Sequence, residues 1–332
     1  MAKAALHWKA LRVLFRVAAG PKIGYGHLVR ATVLAQAMKT PAIVSVRGSR
    51  RAVGVARRRG CRVVHGPARQ LLAELKPDVL VIDDPSGLSA ASWRRAAGSA
   101  GVPVASVHDL GIGYCGADLT VDGSIVRQGD DPDGLALLGL KYAVLAPRSG
   151  PLARQSIRVL IALGGGPHRD LALKAARAIL ERRPDVRVRI ATGHSRRILP
   201  RSGNGIVWLG PQPGLGTELA RAAVAVVGGG VTLYEASRES TPAVSFAVVR
   251  AQRPTIRAFA NAGAALDGGS AQAATAATTI ARFVDRVMSS GELRRRLGLT
   301  AQSLVDDRGA IRVAHAIKEL AGRPRGIREG LK

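Results

Sequence analysis

Cysteine is nearly absent: the 332 residues contain two, Cys61 and Cys115. Two thiols with no C-x-x-C pair exclude a disulfide-built secreted scaffold and give no structural zinc site, so a reducing cytoplasm is the expected compartment. Aromatic residues make up 3% of the chain, too few for the stacking platforms of single-strand binders, and no zinc-finger, RNP or basic-zipper pattern is present. No specific nucleic-acid partner is expected. Apolar runs such as Ala222 to Val227 have the length of buried strands and fall far short of the roughly 18 residues of a membrane-spanning helix. Acidic residues are scarce as well. Asp and Glu number 23 against 50 Lys and Arg, a net charge of +27, and the first acidic residue is Glu74. Such a charge favours anionic partners, whether nucleic acid, an anionic membrane surface contacted peripherally, or a phosphorylated small molecule. Only 9 of the 50 basic residues are lysine, and the wealth of Ala, Gly, Val and Arg is also what a GC-rich coding sequence produces with no selection for binding. The segment from Met1 to Val17 is basic and free of acid, yet Arg12 and Arg16 interrupt its apolar patch, so no targeting signal is read there.

What the chain does have is alternation. Short β-branched runs alternate with Ala-rich helical stretches, the pattern of an α/β protein with parallel sheets covered on both faces. In the first half strands are expected at Val13 to Ala18, Ala42 to Val46, Arg62 to His65, Val79 to Asp83 and Val102 to Val107, with helices between them. The stretch from Gly111 to Pro151 reads as irregular, and the alternation resumes at Arg158. Strands are then expected at Arg158 to Leu163, Val186 to Ala191, Ile206 to Leu209, Ala223 to Val227 and Ala243 to Phe246, followed by helices at Ala271 to Ser290, Glu292 to Val305 and Gly309 to Leu320. The length fits two domains. We expect a Rossmann-like unit over 1–150, a second over 151–322 whose last helix, about 309–320, packs back on the first, and a basic tail over 323–332. Open sheets bind ligands at the carboxyl ends of their strands, so the site is expected between the two units.

Glycine loops follow several expected strands. Gly24-Tyr25-Gly26-His27 opens a helix that continues through Arg30, where a turn without side chains and a helix N-terminus suit an anion. It is not a dinucleotide fingerprint, since Val29 stands where the third glycine belongs, and no P-loop lysine follows. His27 carries a side chain able to take a proton near neutral pH; it could equally be a cap or an anion contact. Gly228-Gly229-Gly230-Val231-Thr232 precedes Glu235 in the same manner. Its amides could hold a diphosphate and its carboxylate ribose hydroxyls, while Thr232-x-x-Glu235 is also a capping box that would occupy both side chains locally. Asp83, Asp84, His108 and Asp109 lie at strand ends. They could orient a sugar, or serve as turn formers and helix caps; no complete ligand set accompanies them, so neither a metal nor another cofactor is implied.

The order of these motifs resembles the PseG/SpsG family: Gly24-x-Gly26-His27-x-x-Arg30 with Ala35, Val81-Ile82-Asp83, Tyr142-Ala143-Val144-Leu145, Leu163-Gly164-Gly165, Gly229-Gly230-Val231-Thr232-x-x-Glu235, and Asp307-Arg308-Gly309-Ala310-x-Arg312-Val313, over roughly residues 12 to 320. The family comprises UDP-sugar hydrolases of pseudaminic acid synthesis and relatives named for spore-coat polysaccharide. The resemblance implies a GT-B fold like that of the glycosyltransferase MurG, two Rossmann-like domains with an interdomain cleft, the nucleotide held mainly by the second. It implies His27 as the base that activates water at the anomeric carbon, with Gly24, Gly26, Arg30, Asp83, Asp109, Gly165, Gly229, Gly230, Thr232, Glu235 and Gln252 around the UDP-sugar, and no metal. Departures from the family pattern are Ala251 before Gln252, where Asn is common, the segment from His108 to Tyr114, and Pro167 after Gly165-Gly166, where a polar residue and Asp are usual. The reaction so implied is hydrolysis of a UDP-linked amino deoxy sugar. The competing readings are a glycosyltransferase using the same cleft with an acceptor, which a membrane lipid could supply, and a noncatalytic nucleotide-sugar binder.

Overall fold

The structure is a computed structural model that describes residues 11–20, 23–108, 116–126, 134–150, 152–164, 168–193, 202–212 and 214–323. Two parallel sheets organise it. The first comprises β1 (Val13–Ala19), β2 (Ile43–Gly48), β3 (Arg62–Val64), β4 (Val79–Asp83), β5 (Val104–His108), β6 (Leu119–Asp122) and β7 (Leu135–Leu138), in the order β3-β2-β1-β4-β5-β6-β7. The second comprises β8 (Gln155–Ala162), β9 (Arg187–Ala191), β10 (Ile206–Leu209), β11 (Ala222–Gly228), β12 (Ala243–Ala247) and β13 (Leu266–Ser270), in the order β10-β9-β8-β11-β12-β13. Central strands such as β4 and β11 are buried at every position. Helices cover both faces of a parallel sheet, so its strands read as continuous apolar runs without polar alternation.

The helices are α1 (Gly26–Met38), α2 (Arg50–Arg58), α3 (Ala68–Leu75), α4 (Gly87–Ser99), α5 (Arg169–Arg182), α6 (Gly216–Arg221), α7 (Val231–Arg238), α8 (Arg253–Asn261), α9 (Ala276–Ser289), α10 (Gly291–Leu304) and α11 (Gly309–Gly322). None of them is long and apolar enough to cross a membrane. In each sheet the strand order reverses beside the first strand, between β1 and β4 and between β8 and β11. Such a reversal opens a crevice at the strands' carboxyl ends. The turns leading into α1 and α7 sit there.

Two readings of the sequence are corrected. The stretch from Gly111 to Pro151 contains β6 and β7, which extend the first sheet in register, with Ser106 beside Thr120 and Thr120 beside Ala136. Its glycines and prolines hid two four-residue strands whose apolar content is too short to stand out. The helix expected from Ala271 begins at Ala276, and the preceding Leu266–Ser270, with two glycines, forms edge strand β13. Gly268 carries no side chain there because the Phe246 ring occupies that space.

The segment from Tyr142 to Leu145 joins the two cores. Val144 is buried with first-sheet residues, and its neighbours Ala143 and Leu145 with second-sheet residues, the alternation of an extended chain. Helix α11 lies against α1 and the first core through Val313, Ala314, Ile317 and Leu320. Its glycine start explains one motif: any side chain at Gly309 would overlap the backbone of Ala143. Arg312 fastens the same joint, donating to the Lys141 carbonyl at 2.8 Å. We expect Gly309→Ala to lower stability by about 1–3 kcal/mol through overpacking, read from the denaturant midpoint, whereas Gly322→Ala, with open space around it, leaves the midpoint unchanged.

Candidate functional site

A cavity of about 560 Å³ lies between the sheets, within the range of roughly 300–1,000 Å³ typical of small-molecule sites. The first-sheet side contributes Gly24, Tyr25, Gly26, His27, Asp83 and His108. The second contributes Gly164, Gly228, Gly230, Thr232, Glu235 and Gln252.

On the first wall, Gly24 has φ +88° and exchanges backbone hydrogen bonds with Gly20. This left-handed turn, which favours glycine, points the chain from β1 into α1. Helix α1 begins at Gly26, whose lack of a side chain admits Val231 of the opposite wall. His27 then faces the cavity on the first turn. It is not a cap, because α1 has no side-chain cap. Its Nδ1 lies 2.7 Å from Asp83 Oδ1. Arg30, one turn on, donates to both Asp83 oxygens, from Nε at 2.8 Å and from its terminal nitrogen at 2.6 Å.

That terminal nitrogen also lies 2.7 Å from His27 Nδ1. An ionised carboxylate can only accept, so the Asp83 contact assigns the proton to Nδ1, and the approach of the Arg30 nitrogen to Nδ1 is then a close contact between two donors that share the carboxylate. The lone pair is then on Nε2. Burial pushes the Asp83 carboxyl up, but the charges and hydrogen bonds of Arg30 and His27 hold it well below the usual carboxylate range. Asp83 therefore stays ionised beneath the imidazole. Arg30 itself is buried and does not line the main cavity; its guanidinium is engaged with Asp83 and His27.

Asp84, the next residue, has a separate task. It accepts from Arg47 Nε at 2.9 Å, from the Ser86 amide at 3.0 Å and from Ser89 Oγ at 2.9 Å. This set ties the start of α4 to the sheet, the turn-forming role open to such a residue.

On the second wall, α7 begins at Val231 with Gly230 as its N-cap and no side-chain cap. The capping box is not formed. Gly230, Val231 and Thr232 line the cavity, so the start of the helix, whose dipole favours an anion, lies at its wall. Gly229 is set behind this rim: a side chain there would meet Ile256, and its amide donates to Gln252 Oε1 at 3.2 Å. The same oxygen accepts from the Val248 amide at 3.1 Å, so Gln252 clamps the glycine loop to the turn after β12. Glu235 is buried, and its backbone carbonyl accepts from the Glu239 amide at 3.0 Å. Burial pushes its carboxyl up to about 7; Arg238 and Arg59 oppose the rise and Glu239 adds to it.

The structure thus brings Gly24, Gly26, His27, Asp83, Gly230, Thr232, Glu235 and Gln252 to one cavity, and sets Arg30 and Gly229 in the layer behind it. Asp109 and Gly165 lie outside the described residues. Sequence reasoning missed Arg59, Val107, Leu215 and Val249, which also line the cavity. Leu215 stands between Gly214 and Gly216 after β10, a glycine loop that the motif reading passed over; Arg59 reaches in from the end of a helix.

The state of Glu235 has a consequence for stability. With an ordinary value of 4.5 raised to about 7 in the fold, the unfolded chain ionises first, so stability falls as pH rises from about 4.5 through 7 and is level above it. Glu235→Gln is expected to stabilise the protein by up to about 3 kcal/mol at pH 8 and to leave it unchanged at pH 4, as measured by urea unfolding at the two pH values.

No family model matches the chain. Over 102 residues it is 37% identical to the spore coat polysaccharide biosynthesis protein SpsG of Bacillus subtilis (strain 168), a match covering 31% of this chain and 30% of that protein. The matched segment is therefore less than a third of the relative's length. Among solved structures the fold is similar to MurG of Acinetobacter baumannii, with TM-score 0.64 and 15% identity over 93% of this chain and 99% of that one. It is similar to the spinosyn forosaminyltransferase SpnP, with TM-score 0.69 and 15% identity over 95% and 100%. The spinosyn rhamnosyltransferase SpnG complexed with thymidine diphosphate gives TM-score 0.65 and 19% identity over 93% and 100%. The two parallel sheets with their intervening cavity are those of the GT-B fold, and the PseG/SpsG resemblance holds in sequence over the SpsG segment.

Proposed function

We propose that this GT-B protein, SpsG-like over part of its sequence and MurG-like in fold, is a nucleotide-sugar enzyme of polysaccharide biosynthesis, and that it hydrolyses a UDP-linked amino deoxy sugar. The observation that carries the reading is the buried Asp83–His27 pair, braced by Arg30, facing an uncapped helix N-terminus across one cavity. A base and an anion site on opposite walls are what displacement of a diphosphate requires.

In this reading the diphosphate rests on the amides at the start of α7, beside Gly230 and Thr232, and the ribose hydroxyls donate to Glu235. His27 Nε2 takes a proton from water as the water oxygen attacks the anomeric carbon. The bond from that carbon to the β-phosphate oxygen breaks with its electron pair, UDP departs, and the anomeric centre inverts. Asp83 keeps the imidazole oriented and stabilises the imidazolium that forms, while the helix N-terminus receives the charge developing on the diphosphate. Every step uses side chains and amides of this chain.

A second reading is favoured by the transferases SpnP and SpnG among the fold neighbours: the same base would deprotonate an acceptor hydroxyl in place of water. Release of UDP without acceptor or added metal separates the two. We expect wild type to release UDP from a member of a UDP-sugar panel that includes diacetamido-trideoxy sugars, and His27→Ala to lose at least about 100-fold in rate, as is typical for removal of a general base, with UDP affinity by calorimetry unchanged. UDP binding with no release unless an acceptor is added would replace hydrolysis by transfer. Binding without turnover in either format would leave a nucleotide-sugar binder.

A further inference from the structure

For a chain with 50 Lys and Arg, the cavity carries little positive charge. Among the described residues lining it, Arg59 is the single arginine or lysine. It caps the carboxyl end of α2 and reaches back over α1, where its terminal nitrogen donates to Thr32 Oγ1 at 3.1 Å. This bond fixes a half-buried guanidinium on the first wall beside Val29, facing the wall formed by Gly230, Thr232 and Glu235.

Two carboxylates at the first wall are held by ion pairs. Asp83 is paired with Arg30, and Asp84 with Arg47 and Arg16. Glu235 lies on the wall that would take the diphosphate, and its ionisation would repel that group. A helix N-terminus offers the equivalent of only about half a positive charge, less than a diphosphate carries in negative charge. Burial lowers the Arg59 pKa, against the influence of Cys61 and Glu235, but a guanidinium remains protonated in proteins throughout the working range.

Resting on the nucleotide-sugar reading above, we infer that Arg59 binds the diphosphate from the first wall, closing an anion site whose other half is the N-terminus of α7. The diphosphate is thereby held from both sheets, so charge that builds on it as the glycosidic bond breaks is met by a fork-shaped donor in a partly desolvated setting. The residue also gives the two walls an electrostatic reason to approach one another around the ligand.

The test is binding of UDP and thymidine diphosphate by calorimetry, and of uridine by NMR titration, to wild type, Arg59→Met and Arg59→Lys, each first checked for an unaltered thermal melt. Loss of a charge-assisted hydrogen bond predicts that Arg59→Met binds both diphosphates about 10- to 100-fold more weakly and uridine as wild type does. Arg59→Lys, a point charge without the fork, falls between. Undiminished diphosphate affinity in Arg59→Met overturns the inference. So does an equal loss for uridine, which would make Arg59 a packing element of the wall. Wild type that binds neither diphosphate overturns the nucleotide-sugar reading itself, and this inference with it. Normal diphosphate binding by wild type together with normal binding by Arg59→Met leaves that reading standing and removes only the role of Arg59.

Discussion

The buried carboxylate of Asp83 is the constraint around which the first wall is arranged. It ends β4, paired in register with Val17 of β1, and it receives Arg30 on both oxygens with His27 on one. A lone carboxylate at this depth would be protonated or expelled; two donors on one helix keep it ionised. The spacing of His27 and Arg30, three residues apart, is what lets a single helical turn reach one carboxylate with both side chains. Everything that fixes α1, from the left-handed Gly24 to the close approach of Gly26 and Val231, also fixes the imidazole.

The second wall depends on restraint of a different kind. The loop before α7 is held by a neutral amide, Gln252, and not by charge. At its far end α7 is locked by a buried ion pair, Arg238 with Glu239 at 2.8 Å. Arg238 also donates to the Ala146 carbonyl, and Glu239 accepts the Ser149 amide at 3.3 Å. The connection between the sheets is therefore tied to the same helix whose N-terminus faces the cavity. Arg154 adds donors to the Glu239 and Ser240 carbonyls. With Gly123 and Gly309 pressed against Ala143, the joint is packed on both sides, which gives the cavity two walls of defined separation.

Much of this was legible in the chain. The β-branched runs gave the central strands of both sheets, since strands buried on both faces must be apolar throughout. The glycine loops marked where β1 leads into α1 and β11 into α7, because only a turn free of side chains leaves backbone amides open at a helix start. Strands β6, β7 and β13 were not legible: each is short, stands among glycines and acidic residues, and owes its place to pairing at the outer side of its sheet. The roles of the acidic pair at Asp83 and Asp84 were equally ambiguous in sequence. Alternation points the two side chains to opposite faces of the strand end, one toward the histidine and the other toward α4.

What the sequence alone determined is the repeated α/β alternation and the local chemistry of its turns, both of which arise from residues within a few positions of one another. Tertiary structure decided the rest. It turned Thr232 and Glu235 from a capping box into parts of a cavity wall, placed Gly229 behind the rim, and carried Arg59 from the end of α2 across α1 to face Glu235. Each of these outcomes depends on groups tens to hundreds of residues apart competing for the same space and the same hydrogen bonds. Such competition has no periodic trace in the chain and is resolved only when the two sheets pack.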